Sequence, residues 1–353
     1  MKFIKILSIN LIIVLLLVCL IELVVVNFNK DKIKCSYVLC NHNVSYENNL
    51  YDTIDIVNYK KDEYGFRGRT KKVSEIDILV FGGSTTDERY LNLNDTWTEQ
   101  LELLLNKKNY NIDIVNAGID GQSTYGHIWN FNNWINRIDN FKTKFIFFYI
   151  GLNDSSAPGM FDLDSTNYEK FSLKKKIKFN IKNNNAFIYG LYKVYLKIRI
   201  LLGLDVNPGH NKKIAKINEF YLDDSEYIHD NQKFIMVFKN NLQKLTSLAR
   251  ETGAEPIFIT QRSLRWFKKE NKIYNYQNSK AYQIELLRKN LIMNYCDKNN
   301  LFCVDVFSNL DLEPNDTYDL VHLTPSGSKK VAKIIESQIL KDKKFLNKIT
   351  RQN

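Results

Sequence analysis

Between residues 76 and 306, short and nearly continuous apolar runs recur, each followed by a polar break. Ile76-Asp77-Ile78-Leu79-Val80-Phe81 is the first, and Ile112–Val115, Phe145–Ile150, Pro256–Thr260 and Leu301–Val306 follow it. Runs that are apolar on both phases of the pleat suit parallel strands covered on both faces. Between them, apolar residues return at a spacing of three and four. Trp97, Leu101, Leu104 and Leu105 predict a helix over about Asn94–Lys107, and Phe234, Val237, Leu242 and Leu245 predict another over Asp230–Thr252. Further helices are expected over Ser279–Lys298 and from about Gly327 to Leu340. Strands separated by helices predict an α/β fold: a five-stranded, doubly wound parallel sheet in a flavodoxin-like three-layer α/β/α sandwich.

Three stretches depart from this alternation. Residues 1–30 hold a nearly unbroken apolar run from Leu11 to Val26, long enough to cross a bilayer as one N-terminal transmembrane helix. No small-residue cleavage pattern follows it, and Val18 before Cys19 is a poor lipoprotein box, which favours an uncleaved anchor over a signal peptide. A short tail before a first helix usually stays inside, so the rest of the chain is expected outside the cytoplasm, although Lys2 and Lys5 are opposed by Lys30, Lys32 and Lys34. Residues 31–74 read as a stalk packing back onto the domain, with Tyr64-Gly65-Phe66-Arg67-Gly68 as an ordered turn. Within the domain, residues 75–345, a segment at about 155–235 has the size of an insertion, with a basic run at Leu173–Lys178 and a helix candidate over Ala186–Leu204. A lid, a groove wall, a lipid-facing surface and a solvated basic face all fit it.

Composition changes this picture little. At 353 residues, 44% hydrophobic and 25% charged, the chain can bury a full core. The net charge of +11 comes from lysines spread along the chain, with no arginine-rich stripe, so no nucleic-acid partner is expected. The five cysteines lack the paired short spacings of a zinc site, and no metal or other cofactor is expected. Cys35 and Cys40 could pair outside the cytoplasm, whereas Cys296 and Cys303 are expected to be buried free thiols.

Functional groups of a doubly wound sheet gather outside the carboxyl ends of its strands. That edge receives Gly82-Gly83-Ser84, the loop Asn116-Ala-Gly-Ile-Asp-Gly121, Gly151-Leu152-Asn153-Asp154 and Asp319-Leu-Val-His322. Each has a plain structural use alone: a glycine–serine turn, a left-handed glycine, a turn-forming asparagine, a helix cap. Together they compose a reaction centre. A serine hydroxyl needs an adjacent base, which His322 supplies when Asp319 orients its imidazole. Acyl transfer further needs donors for a developing oxyanion, and the Ser84 N–H, the Gly121 N–H and the Asn153 amide are candidates.

The order and wording of these four blocks resemble the SGNH hydrolase superfamily, the GDSL-type esterases, over about residues 75–340. The resemblance implies Ser84 as nucleophile, His322 as base, Asp319 as its orienter, and Ser84, Gly121 and Asn153 as the oxyanion hole. Gly83 departs from the family, whose name calls for aspartate before the serine. The Gly-Gly-Ser-Thr-Thr wording, the apolar N-terminus and the Tyr-Gly-Phe-Arg-Gly turn resemble membrane-anchored bacterial members. The function so implied is an esterase forming an acyl-enzyme on Ser84, with an O-acetyl ester of a cell-surface or exported glycan, or another small ester, as substrate. Two other readings stay open: a glycan O-acyltransferase using the same triad, and a non-catalytic envelope or glycan-binding protein on the same fold.

Overall fold

The computed structural model describes residues 38–53, 55–154, 231–270, 272–276 and 280–350, with scattered positions in the N-terminal segment and between 155 and 230. Most of the expected anchor, the first part of the stalk, nearly all of the insertion and the helix candidate at Ala186–Leu204 therefore lie outside the described residues. Among the described residues, no helix is long and apolar enough to cross a membrane.

The centre is a sheet of five strands: β3 (Ile76–Gly82), β4 (Ile114–Asn116), β5 (Thr143–Tyr149), β7 (Glu255–Ile259) and β10 (Cys303–Val304). Their spatial order is β10-β7-β5-β3-β4, and every pairing is parallel. Numbered along the sheet-forming strands alone this is 2-1-3-4-5, the flavodoxin-like order, whose direction reverses between β3 and β5.

Alternation along each strand divides the core into two layers, because successive side chains point to opposite faces. Leu79, Phe81, Ile146, Phe148 and Phe258 enter one layer. There Phe148 stacks on Phe81 at 5.8 Å and on Phe258 at 5.1 Å. That face is covered by Phe131 of α3 (Thr124–Asn133), Phe238 and Leu242 of α4 (Gln232–Glu251), and Leu291 and Ile292 of α5 (Ala281–Lys298). Ile78, Val80, Phe145, Phe147 and Ile257 enter the other. Trp97 and Leu101 of α2 (Trp97–Asn106), Val331 and Ile335 of α7 (Pro325–Ile339) and Phe345 of α8 (Lys343–Thr350) cover it.

Several local features go beyond the sequence reading or differ from it. The segment expected as a stalk contains an antiparallel hairpin of β1 (His42–Glu47) and β2 (Ile56–Lys61), and Arg67 exchanges backbone hydrogen bonds with Asn116 at 3.0 and 2.9 Å. A small antiparallel sheet of β6 (Ile217–Glu219), β9 (Lys272–Tyr276) and β8 (Trp266–Lys269) lies outside the main one. The last strand keeps only two residues of the expected Leu301–Val306, because Asp305 accepts the Ser308 N–H at 3.1 Å and turns the chain into a short helix, α6 (Val306–Asn309). Cys296 and Cys303, expected as free thiols, are joined in a disulfide. The turn after α5, with Asn300 left-handed at φ 52°, brings their Cα atoms to 6.2 Å. Cys40 is also disulfide-bonded, while Cys35 lies outside the described residues.

Candidate active site

The nucleophile block is shaped by close approach of backbone. β3 ends at Gly82, and α1 (Ser84–Asp87) is a single turn whose N-cap is Gly83. A Cβ on Gly82 would lie 2.0 Å from Thr86 Oγ1 and 2.9 Å from the Tyr149 carbonyl, so the turn closes only without side chains there. The Gly83 carbonyl accepts the Thr86 and Asp87 N–H groups at 3.0 and 2.9 Å. Ser84 thus opens a helix, where the backbone N–H has no acceptor within the helix itself.

The base arrives on the loop before α7. Thr317 pairs with Leu323 across a reversal in which Leu320 is left-handed at φ 72°. In that reversal Asp319 Oδ1 accepts the backbone N–H of Val321 and His322 at 3.1 and 2.8 Å, and Oδ2 lies 2.6 Å from His322 Nδ1. His322 Nε2 lies 2.7 Å from Ser84 Oγ. Burial pushes the Asp319 carboxyl up, but the hydrogen bonds and charge of His322 outweigh that and hold it below the ordinary range. An ionised Asp319 keeps the proton on Nδ1 and leaves Nε2 free to accept one from the serine. The Tyr318 ring stacks on the imidazole at 5.5 Å.

The two remaining blocks converge from β4 and β5. Asn153 Nδ2 donates to the Gln122 carbonyl at 2.9 Å, which fixes one amide hydrogen and leaves the other for a ligand. Leu152 N–H donates to Gln261 Oε1 at 2.7 Å, and Gln261 Nε2 donates to Thr85 Oγ1 at 2.9 Å, so one side chain ties this loop to the nucleophile turn. Asp154, buried, accepts the Thr124 N–H and hydroxyl at 3.1 and 2.6 Å. Gly121 has φ +72°, and a Cβ there would meet nothing within 4 Å; glycine serves the backbone conformation alone at this position.

All five residues singled out from the sequence thus stand at one edge of the sheet, with Ser84, His322 and Asp319 in a continuous hydrogen-bonded chain. Other groups around them were given no role at the site from the sequence. A pocket beside Ser84 and His322 is lined by Asp87, Arg89, Tyr90, Asp120 and Tyr318. Beneath it, buried Tyr59, Lys61 and Arg67 come from the N-terminal hairpin and the turn after it. A signal for two of these was present. Val57, Tyr59 and Lys61 occupy alternate positions of one strand, which puts a lysine on its apolar face. Among the described residues, no group of three or more His, Cys, Asp or Glu side chains could hold a metal ion.

No protein-family model matches the chain, and no curated protein sequence matches it. Several solved structures do. A member of the lipolytic protein G-D-S-L family from Veillonella parvula is 15% identical with a TM-score of 0.40, covering 74% of this chain and 97% of that one. The psychrotrophic esterase EstA from a Pseudoalteromonas species is 11% identical with a TM-score of 0.41, covering 77% and 98%. An acetylxylan esterase from Geobacillus stearothermophilus is 13% identical with a TM-score of 0.41, covering 76% and 96%. The first is of the family that the four sequence blocks resemble. At these identities and scores the functional reading rests on the chain's own geometry.

Proposed function

We propose that the chain is an SGNH-type serine esterase that forms an acyl-enzyme on Ser84 and acts on O-acyl, chiefly O-acetyl, esters of cell-surface or exported glycans. The observation that carries this is the unbroken sequence of contacts from Asp319 through His322 to Ser84 Oγ, at 2.6 and 2.7 Å. His322 Nε2 takes the hydroxyl proton as Oγ attacks the ester carbonyl. Negative charge gathers on the carbonyl oxygen, where the Ser84 and Gly121 N–H groups and the free hydrogen of the Asn153 amide receive it. The imidazolium then protonates the leaving alcohol, and the C–O bond breaks to leave acyl-Ser84. Water, deprotonated by the same nitrogen, releases the acid and restores the serine.

A hydroxyl-rich alcohol portion is supported by the pocket beside Ser84, where Arg89 and Asp120 offer donors and acceptors and Tyr90 and Tyr318 offer ring faces. A position outside the cytoplasm, held by the apolar N-terminal run as a single-pass anchor, is supported by the Cys296–Cys303 disulfide, since such bonds persist in oxidising compartments.

Hydrolysis of a chromogenic acetyl ester by the full-length chain in detergent is the test. Turnover is expected, with loss of nearly all of it in Ser84→Ala and in His322→Ala, and an organophosphonate should label Ser84. Turnover indifferent to Ser84 sinks the reading. Surface-glycan acetylation compared with and without the protein then separates the directions of transfer: a gain of acetyl groups on deletion marks an esterase, a loss marks an acyltransferase.

A further inference from the structure

We infer that Lys61 is a positioning residue for ester hydrolysis at Ser84: from the N-terminal hairpin it clamps the nucleophile turn to the glycine loop and so sets the spacing of the Ser84 and Gly121 N–H groups. The inference rests on the esterase reading above and deepens it, because it brings a segment outside the family's four blocks into the oxyanion hole.

The geometry is specific. Lys61 is 3% exposed. Its Nζ donates to the Gly118 carbonyl at 2.8 Å and lies 3.2 Å from Asp87 Oδ1. Asp87 is the last residue of the single turn that Ser84 opens, and Gly118 precedes Gly121 in the loop that follows β4. One ammonium therefore holds two loops far apart in sequence. They touch backbone to backbone, for a Cβ on Gly118 would lie 2.3 Å from the Asp87 nitrogen. Tyr59, also on β2, donates its hydroxyl to the same Asp87 oxygen at 2.8 Å. Arg67, 1% exposed, fixes the exit of the turn by donating Nη1 to the Asp87 and Glu88 carbonyls at 2.7 and 2.9 Å and Nη2 to the Leu91 carbonyl at 2.5 Å.

Packing alone does not ask for a lysine here. Val57 and Tyr59 fill the preceding inward positions of β2 with apolar bulk, and an apolar third residue would avoid removing a charge from water. Burial indeed lowers the Lys61 pKa, and Asp87 opposes that shift. What the ammonium supplies, and a methyl group cannot, is several donors that bridge a carboxylate and a carbonyl at once. The bridge adds to the hydrogen bonds that Asn116 Nδ2 makes to the Thr86 carbonyl and the Ile119 N–H to the Gly82 carbonyl, and it bears on an oxyanion hole assembled from two loops because donors must already stand where charge will develop.

The test uses the full-length chain and three variants: Lys61→Met, which keeps the stem and removes the donors; Asp87→Asn; and the double variant, which removes one positive and one negative buried charge together and leaves Arg67 and Arg89 in place. Steady-state hydrolysis of a chromogenic acetyl ester, the rate of organophosphonate labelling and the melting temperature are measured on each. Lys61→Met is expected to lower kcat on the order of tenfold to a hundredfold, the scale of a displacement approaching 1 Å at a reacting centre, with KM within about twofold. Labelling should slow in parallel, because the phosphonyl oxygen uses the same donors. The double variant should recover melting temperature without recovering kcat, which separates positioning from stability; should Lys61→Met not fold, the double variant carries the test. Wild-type kcat in the folded double variant overturns the inference alone. Absence of Ser84-dependent turnover in the unaltered chain overturns the esterase reading and this inference with it.

Discussion

Gly83→Ala is the substitution in which the proposed mechanism and the stability of the fold part most clearly. A Cβ at this position would lie 2.2 Å from Asn153 Nδ2 and 3.2 Å from the Gln122 carbonyl. Ordinary contact begins at 3.4 Å, so the Asn153 amide must retreat by about 1.2 Å and give up its 2.9 Å hydrogen bond to Gln122. The atom displaced is the end of an exposed side chain, and its rotation costs the fold only one such bond, about 1 kcal/mol. For a domain of this size that is a fall of roughly 2–4 °C in melting temperature. Catalysis should suffer far more. A donor moved by about 1 Å costs on the order of 10²-fold, and a donor removed outright about 10²–10³-fold in kcat, or ~2.7–4 kcal/mol of transition-state stabilisation. Steady-state hydrolysis of a chromogenic acetyl ester, read beside a thermal melt, therefore checks both halves. Wild-type kcat in a folded Gly83→Ala chain would refute Asn153 as an oxyanion donor, and a collapse in melting temperature would refute its side chain as the part that yields.

Asp319→Asn is expected to lower kcat on the order of 10³–10⁴-fold with KM little changed, because an amide facing His322 Nδ1 no longer enforces the reactive tautomer; steady-state kinetics check this. Glu88, fully buried against the Ser328 hydroxyl and the Trp97 N–H, has a carboxyl raised by burial to about 8 from 4.5. Between those values the folded chain holds a proton that the unfolded chain has released, so stability falls as pH rises from 4.5 to about 8 and levels above it. At ~1.4 kcal/mol per unit the whole effect is on the order of 4–5 kcal/mol. Glu88→Gln should remove this share of the slope and stabilise the chain above pH 8, while Glu102, also raised to about 8 by burial, keeps its own share; denaturant midpoints at pH 6 and pH 8.5 decide it. Phe345→Ala, which empties the place beside Phe145 at 4.8 Å, should cost about 3–5 kcal/mol in denaturant unfolding and leave KM unchanged.

The parallel sheet was legible because its middle strands are buried on both faces. Ile76–Phe81 and Phe145–Tyr149 have no polar phase to confuse with a helix stripe, and their order along the chain is the order of a doubly wound fold. Asp77, the one charge in the first run, is no exception to this logic: it is buried with Lys71 Nζ at 2.8 Å and the Asp113 N–H at 3.0 Å as partners. The weak edge was less legible. Cys303 and Val304 form a strand only as far as β7 offers them partners, and the Asp305 cap, a local hydrogen bond, ends it before Val306. The pairing of Cys296 with Cys303 depends on a left-handed Asn300 that returns the chain beside the end of α5, a feature that apolar periodicity does not report.

The site divides in the same way, between residues whose chemistry is their own and residues whose role is given by distant neighbours. Ser84 and Asn153 carry reactive or donating side chains just past β3 and β5, Asp319 and His322 carry theirs on the loop before α7, and the order of these side chains along the sequence suggested a mechanism. Gly83 carries nothing, and its meaning comes from Asn153, which reaches within 2.2 Å of where its Cβ would be. That contact gives a physical reason for Gly83 where the family that the four blocks resemble has aspartate: with this placement of Asn153, a side chain before Ser84 would displace a proposed oxyanion donor. Lys61 and Arg67 extend the point. Their partners are carbonyls and a carboxylate contributed by Asp87, Glu88, Leu91 and Gly118, all of them placed by the fold of the domain that follows. The hairpin that carries Lys61 stands before the four blocks in the chain, yet the nucleophile turn is enclosed by both. A truncation that begins at Val73 would keep every residue of the proposed triad and oxyanion hole and lose Tyr59, Lys61 and Arg67 together, taking from Asp87 two of the three cations that hold it ionised and leaving it Arg89 alone. Such a fragment is expected to fail in soluble expression or to fold without Ser84-dependent turnover, and full activity from it would show that the turn needs no support from the hairpin.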